Sequence, residues 1–166
     1  MTERIRRLFM AMIAFDQGKP ALIQHFTKVH DYARLLAQGE ALPQEALETV
    51  EAAALVHDIA IPLCLEKYGS DAGALQEKEG PALASPMLRE AGFSEEITAR
   101  VCRLVSMHHT YEPMDGIDHQ ILVEADFMVN SYENALGKAA CREIYKKIFR
   151  TQTGRQVYRD MFDLEE

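Results

Sequence analysis

The sequence predicts an all-α fold, read as a single helical domain over residues 1–166. Two observations carry this. Apolar residues recur at helical spacing almost throughout, and no convincing stretch alternates apolar and polar positions between hairpin turns. Proline and glycine also sit mainly where one periodic stretch gives way to the next.

The elements follow in order. Ile5, Leu8, Phe9, Met12 and Ile13 form the apolar face of a first helix that stops near Gly18. The basic start Met1–Arg7 and the apolar run after it superficially resemble a short signal peptide, but Glu3 and the lack of a small-residue cleavage site favour the amphipathic helix. Pro20 opens a second helix, with Leu22, Phe26, Val29, Ala33 and Leu36 facing the core before Gly39. Pro43 opens a third, which carries Leu47, Val50, Ala54 and then His57-Asp58 until Pro62 ends it. From Tyr68 to Pro81 the chain lacks apolar periodicity and reads as a surface loop. A helix from Pro81 to Gly92 follows, then one capped by Ser94 in which Ile97, Val101, Leu104, Val105 and His108 share a face. Tyr111–Gly116 is a turn, His119 to Leu136 a further helix, and Gly137 leads into a basic helical extension over 138–163.

Composition narrows the function. With 166 residues and 48% hydrophobic content the chain can fill one core. A formal net charge of −8 argues against a surface for duplex nucleic acid, which demands an excess of Lys and Arg. Cys64, Cys102 and Cys141 are odd in number and far apart, so they read as reduced thiols rather than a disulfide or zinc framework. No membrane association is expected, and a cytoplasmic location is the default.

The chemistry lies in a few polar residues on apolar elements. Ala52–Val56 runs directly into His57-Asp58, whose side chains lie about 100° apart on a helix and can lean toward one ion. The same pair also suits a neutral hydrogen-bonded arrangement. Asp126 falls in the apolar run Ile121–Val129, where a carboxylate is costly unless it is paired or binds a cation. Glu124, about 200° away, can point to water. His25 borders the core stripe of the second helix and reads equally as a packed core residue; His30, roughly 140° further round, reads as a bystander. His108-His109 close another apolar helix as ligands of a second ion, as acid or phosphate-binding groups, or as polar helix-end residues. His119 beside Asp118 reads as structural.

The order His25, His57-Asp58, His108-His109, Asp126 resembles the HD-domain metal-dependent phosphohydrolase superfamily over about residues 20–135. The segments that match are His25-Phe26-Thr27-Lys28-Val29, Ala54-Leu55-Val56-His57-Asp58-Ile59 and Val123-Glu124-Ala125-Asp126. The resemblance implies an all-α bundle holding a divalent ion through His25, His57, Asp58 and Asp126. Two departures stand out. Relatives often carry Gly and a nearby Lys after the His-Asp pair, where this chain has Ala60 and Ile61-Pro62. Relatives with two metals usually add a His shortly before a Gly, where this chain has Gln76-Glu77-Lys78-Glu79-Gly80. Glu77 or Glu79 can stand in as an oxygen ligand, or the loop is simply solvated. A mononuclear site is the main reading, with a second ion near His108 and His109 as the variant.

Two His and two Asp leave open positions on Mn²⁺, Fe²⁺, Co²⁺, Ni²⁺ or Zn²⁺, and water bound there ionises near neutral pH. The expected activity is hydrolysis of a nucleotide or other small phosphoester. Asp58 or Asp126 would accept the water proton, and His109, or His108, would hold the phosphate or protonate the leaving oxygen. The alternatives are a metal-retaining regulatory domain that binds a ligand with little turnover, and a di-iron oxygenase. The basic stretch Lys138, Arg142, Lys146, Lys147, Arg150, Arg155 and Arg159 is either a solvated helix face or a rim that attracts a phosphorylated ligand.

Overall fold

The computed structural model describes residues 1–165, and among them it has nine helices and no strand. They are α1 (Glu3–Phe15), α2 (Pro20–Gly39), α3 (Gln44–Val56), α4 (Ile61–Tyr68), α5 (Gly73–Ala91), α6 (Glu95–Val105), α7 (Ile117–Glu133), α8 (Lys138–Ile148) and α9 (Gln152–Phe162). The all-α prediction holds. Sequence signals set most boundaries: Thr2 and Ser94 cap α1 and α6 through their hydroxyls, Pro20 begins α2, and Gly92 at φ +95° ends α5.

Helix α3 is the centre of the molecule. Every residue from Val50 to Val56 is buried, which is why its sequence reads as apolar all round rather than as a stripe. Around it pack α2, α6, α7 and α1, and the buried apolar side chains from Ile5 to Leu164 form one continuous cluster. Helices α2, α3 and α7 pack against one another, and His25 of α2 meets His57 just after α3 and Asp126 in the middle of α7.

Three expectations need correction. Pro62 does not end the His57-Asp58 helix; α3 stops at Val56, a turn spans residues 57–60, and Pro62 sits in the first turn of α4, where its missing N–H costs nothing. Residues 73–81 are not loop, because α5 starts at Gly73 and runs through Gly80 and Pro81. The glycine there has a packing role, since a Cβ at Gly80 would meet Val105 Cγ1 at 2.5 Å. Close approach of α5 to α6 thus outweighs the poor helix propensity of Gly-Pro. Glu124 does not face water either. It is fully buried, accepting hydrogen bonds from the backbone N–H groups of Arg150 and Thr151, the Thr151 hydroxyl and the Gln120 amide. This carboxylate pins the break between α8 and α9, so the basic extension is two helices tied to α7.

Candidate metal centre

Six side chains from four segments converge beside the C-terminal end of α3. His25 comes from α2, His57 and Asp58 from the turn after α3, His108 and His109 from the turn after α6, and Asp126 from the middle of α7. The turns matter. At each helix end the last carbonyls lack intrahelical donors, and a His ring three residues on supplies one. His57 Nδ1 lies 2.9 Å from Ala54 O, and His108 Nδ1 lies 2.7 Å from Val105 O. A carbonyl only accepts, so Nδ1 carries the proton and the lone pair of the neutral ring is on Nε2, facing the cluster.

His25 is oriented in the same way by a carboxylate. Its Nδ1 lies 2.8 Å from Glu133 Oε2, and Lys28 Nζ holds the other oxygen of Glu133 at 2.6 Å. His25 Nε2 then lies 3.3 Å from His57 Nε2, 3.4 Å from Asp58 Oδ2 and 3.2 Å from Asp126 Oδ1. His57 Nε2 is 3.4 Å from Asp58 Oδ2 and 3.5 Å from Asp126 Oδ1. Asn130, one turn beyond Asp126, donates to the same Oδ1 at 2.8 Å.

Asp58 connects this group to a second. Its Oδ1 lies 3.4 Å from His108 Nε2, and ligand atoms of Asp58, His108 and His109 all fall within 4.8 Å of one another. The Nε2 atoms of both His108 and His109 are buried and have no hydrogen-bond partner. An unpartnered buried nitrogen lone pair is costly in a folded protein, and two side by side facing a carboxylate match the donor set of a cation site. His109 is held from behind: Glu77 Oε1 accepts from the His109 backbone N–H at 3.0 Å and from the Thr110 hydroxyl at 2.9 Å. A Cβ at Gly73 would reach the His109 ring at 2.6 Å, so the start of α5 closes over that ring.

The electrostatics are those of competing charges in a largely buried cluster. Burial opposes charge on His25, but the hydrogen bond to Asp126 and the charge of Asp58 prevail and push its pKa up to about 9. Burial likewise opposes charge on His57, and Asp58 and Asp126 still raise it. Burial would raise Asp58, yet the charge of His57 holds it at about 2; Asp126 is held well below the usual carboxylate range by His25 and His57 against the same penalty. His109 behaves differently, because burial and the neighbouring His108 push it down and keep its ring neutral. Without an ion, the cluster thus satisfies its carboxylates with protons on His25 and His57.

The expected ligands His25, His57, Asp58 and Asp126 therefore lie together, with His108 and His109 against Asp58. His30 is outside the cluster, fully buried with Nε2 3.1 Å from Glu51 Oε1. His119 is structural, bonded to Met107 O and the Asp115 N–H. Glu79 must be withdrawn as a second-ion ligand: its Oε1 takes the Tyr68 hydroxyl and Lys67 Nζ on the surface. Glu77 reaches the site, but through the backbone of residue 109. Sequence reasoning missed Glu133, although the signal was available. It stands seven residues after Asp126, on the same face of α7 two turns on.

A family model described as the HD domain matches residues 22–148. The chain belongs to the HD domain family. HD domains are in general metal-dependent hydrolases. A crystal structure described as a predicted HD superfamily hydrolase from an uncultured Thermotogales bacterium superposes with a TM-score of 0.70 at 24% identity, over 95% of this chain and 84% of that one. No curated protein matches the chain significantly. No helix among the described residues is long and apolar enough to cross a membrane.

Proposed function

We propose that this HD domain is a divalent-ion-dependent phosphohydrolase acting on a nucleotide or another small phosphoester. The observation that carries the reading is the convergence of four histidine rings, three of them with Nδ1 committed to a fixed acceptor, on buried Asp126 and half-buried Asp58. His25, His57, Asp58 and Asp126 would hold one ion, and Asp58 with His108 and His109 a second. The neutral state of His109 favours this ligand role over that of a proton donor to the leaving group. Mn²⁺, Fe²⁺, Co²⁺, Ni²⁺ and Zn²⁺ all suit imidazole and carboxylate donors.

Such an ion supplies a water of lowered pKa and polarises a phosphoryl oxygen. The protein's own part is to fix the geometry. Asp58 divides its two oxygens between the two groups of histidines, which commits it to binding rather than to proton transfer. Asp126 uses Oδ1 for His25, His57 and Asn130, and its Oδ2 makes no hydrogen bond among the described residues, which suits it to orient the attacking water. Hydrolysis would add the elements of water across the P–O ester bond, the hydroxide ending on phosphorus and its proton on the departing oxygen, to give an alcohol and inorganic phosphate.

The test is a screen of phosphoesters with purified protein loaded in turn with Mn²⁺, Co²⁺ and Ni²⁺. Release of phosphate that chelator abolishes supports the proposal. Tight ligand binding without release would identify a regulatory domain, and oxygen consumption by the iron-loaded protein an oxygenase.

A further inference from the structure

The immediate surroundings of the metal centre are poor in cations. Lys28 is spent on Glu133, and no Lys or Arg lies between His57 and Glu66. Cations gather instead on the far side of Tyr111. Its hydroxyl lies 3.5 Å from His109 Nδ1 and its ring packs on Phe127 next to Asp126. The same Tyr111 lines a groove of about 410 Å³ with Glu112, Lys146, Lys147, Ile148 and Arg150.

Three cations against one acid mark this groove as locally positive in a chain of net charge −8. Lys146 is shared with Glu143 at 3.4 Å, whereas Lys147 makes no ion pair among the described residues. Arg150 is fixed by contacts from Nη1 and Nη2 to the carbonyls of Lys146, Lys147 and Phe149 at the end of α8. Those three contacts leave at least two of the five guanidinium N–H donors for a ligand, in a side chain already held in place. Phosphate oxygens are the acceptors that suit a fixed guanidinium fork beside a lysine.

We propose that this groove is an anion subsite, and that the substrate of the neighbouring centre carries a second phosphate beside the one that is cleaved. Tyr111 is the partition between the two positions, with its hydroxyl at His109 and its ring on the groove. The C-terminal pair α8 and α9, tied to α7 by Glu124, thereby serves to place the cations one aromatic side chain away from the reacting phosphorus.

The inference rests on the phosphohydrolase reading, and the experiment separates the two. Mn²⁺-loaded protein is assayed with p-nitrophenyl phosphate, adenosine monophosphate and adenosine 3′,5′-bisphosphate, whose two phosphates are separate esters, in the wild type and in Lys147→Glu and Lys147→Gln. The expected result is a wild-type preference for the bisphosphate that falls about tenfold in Lys147→Glu and less in Lys147→Gln, relative to p-nitrophenyl phosphate. Equal losses on all three substrates, or no loss, would overturn the subsite while leaving phosphohydrolase activity intact. Should no ester be turned over, calorimetric affinity for adenosine 3′,5′-bisphosphate decides: about fivefold weaker binding by Lys147→Glu supports the subsite, and unchanged affinity overturns it.

Discussion

Glu133 fixes the tautomer of His25: a carboxylate oxygen that only accepts lies 2.8 Å from Nδ1, so the neutral ring must present the lone pair of Nε2 to Asp58, Asp126 and His57. Outer partners of this kind typically contribute a factor of about 10 to 100 in metal affinity. Glu133→Ala is therefore expected to weaken ion binding by about that factor with little change in fold. Glu133→Gln, which keeps an acceptor oxygen, should lose less. Competition with a chromogenic chelator measures both, and equal affinity in Glu133→Ala and wild type would count against the role.

The ligand assignment separates two histidines five residues apart on one helix. His57→Ala and Asp126→Ala should each abolish retention of the first ion, whereas His30→Ala leaves ion content unchanged, since His30 faces Glu51. Elemental analysis of the purified variants checks this. Loss of the ion in His30→Ala and its retention in His25→Ala would reverse the register of α2.

His108→Ala and His109→Ala should each cost one equivalent of bound ion and lower turnover about 100-fold, with the ion at His25, His57, Asp58 and Asp126 still in place. Full ion content with reduced turnover would instead make this pair substrate contacts. Unchanged turnover in both would remove the pair from the mechanism.

Ion binding should release protons. His25 has its pKa raised to about 9 in the metal-free protein, from the 6.5 of an ordinary imidazole, so at neutral pH a bound ion must displace its proton. Apparent affinity is expected to rise about tenfold per pH unit and proton released, and to level off near pH 9. Stability of the metal-free protein has the opposite slope from this group: the charged ring stabilises fully below pH 6.5, and the contribution is lost as pH rises through about 9. Asp58, lowered from 3.8 to about 2, adds stability above pH 3.8 that is lost as pH falls through about 2. Calorimetric titrations in buffers of differing ionisation enthalpy count the protons directly.

The apolar cluster that joins the helices contains none of the proposed ligands, so the fold should not depend on the ion. Chelator should leave the helical circular dichroism intact but lower the melting temperature by about 5 to 10 °C, the shift that an ion present at about 100 times its Kd confers on a domain of this size. Complete unfolding in chelator would make the ion structural, and an unchanged melting temperature would mean no site of consequence.

How much of this was legible in the sequence follows from what each residue reports. The proposed ligand positions stand out because His57, Asp58 and Asp126 interrupt runs that are otherwise apolar, and a charge there must be explained locally. The path of α5 was not, because Gly80 and Pro81 lower helix propensity and only the contact of Gly80 with Val105 reveals why the helix continues. Glu124 was misread for a related reason. Its partners Arg150 and Thr151 lie 26 and 27 residues on, at a break between two helices that periodicity blurs into one.

Phosphate release by wild-type and Asp126→Ala protein under the same supply of Mn²⁺, with folding confirmed by circular dichroism, tests the central claim most directly. The account predicts chelator-sensitive release by the wild type and none above background by the variant. Release that persists in Asp126→Ala, or a fully ion-loaded wild type that cleaves no phosphoester, would contradict it.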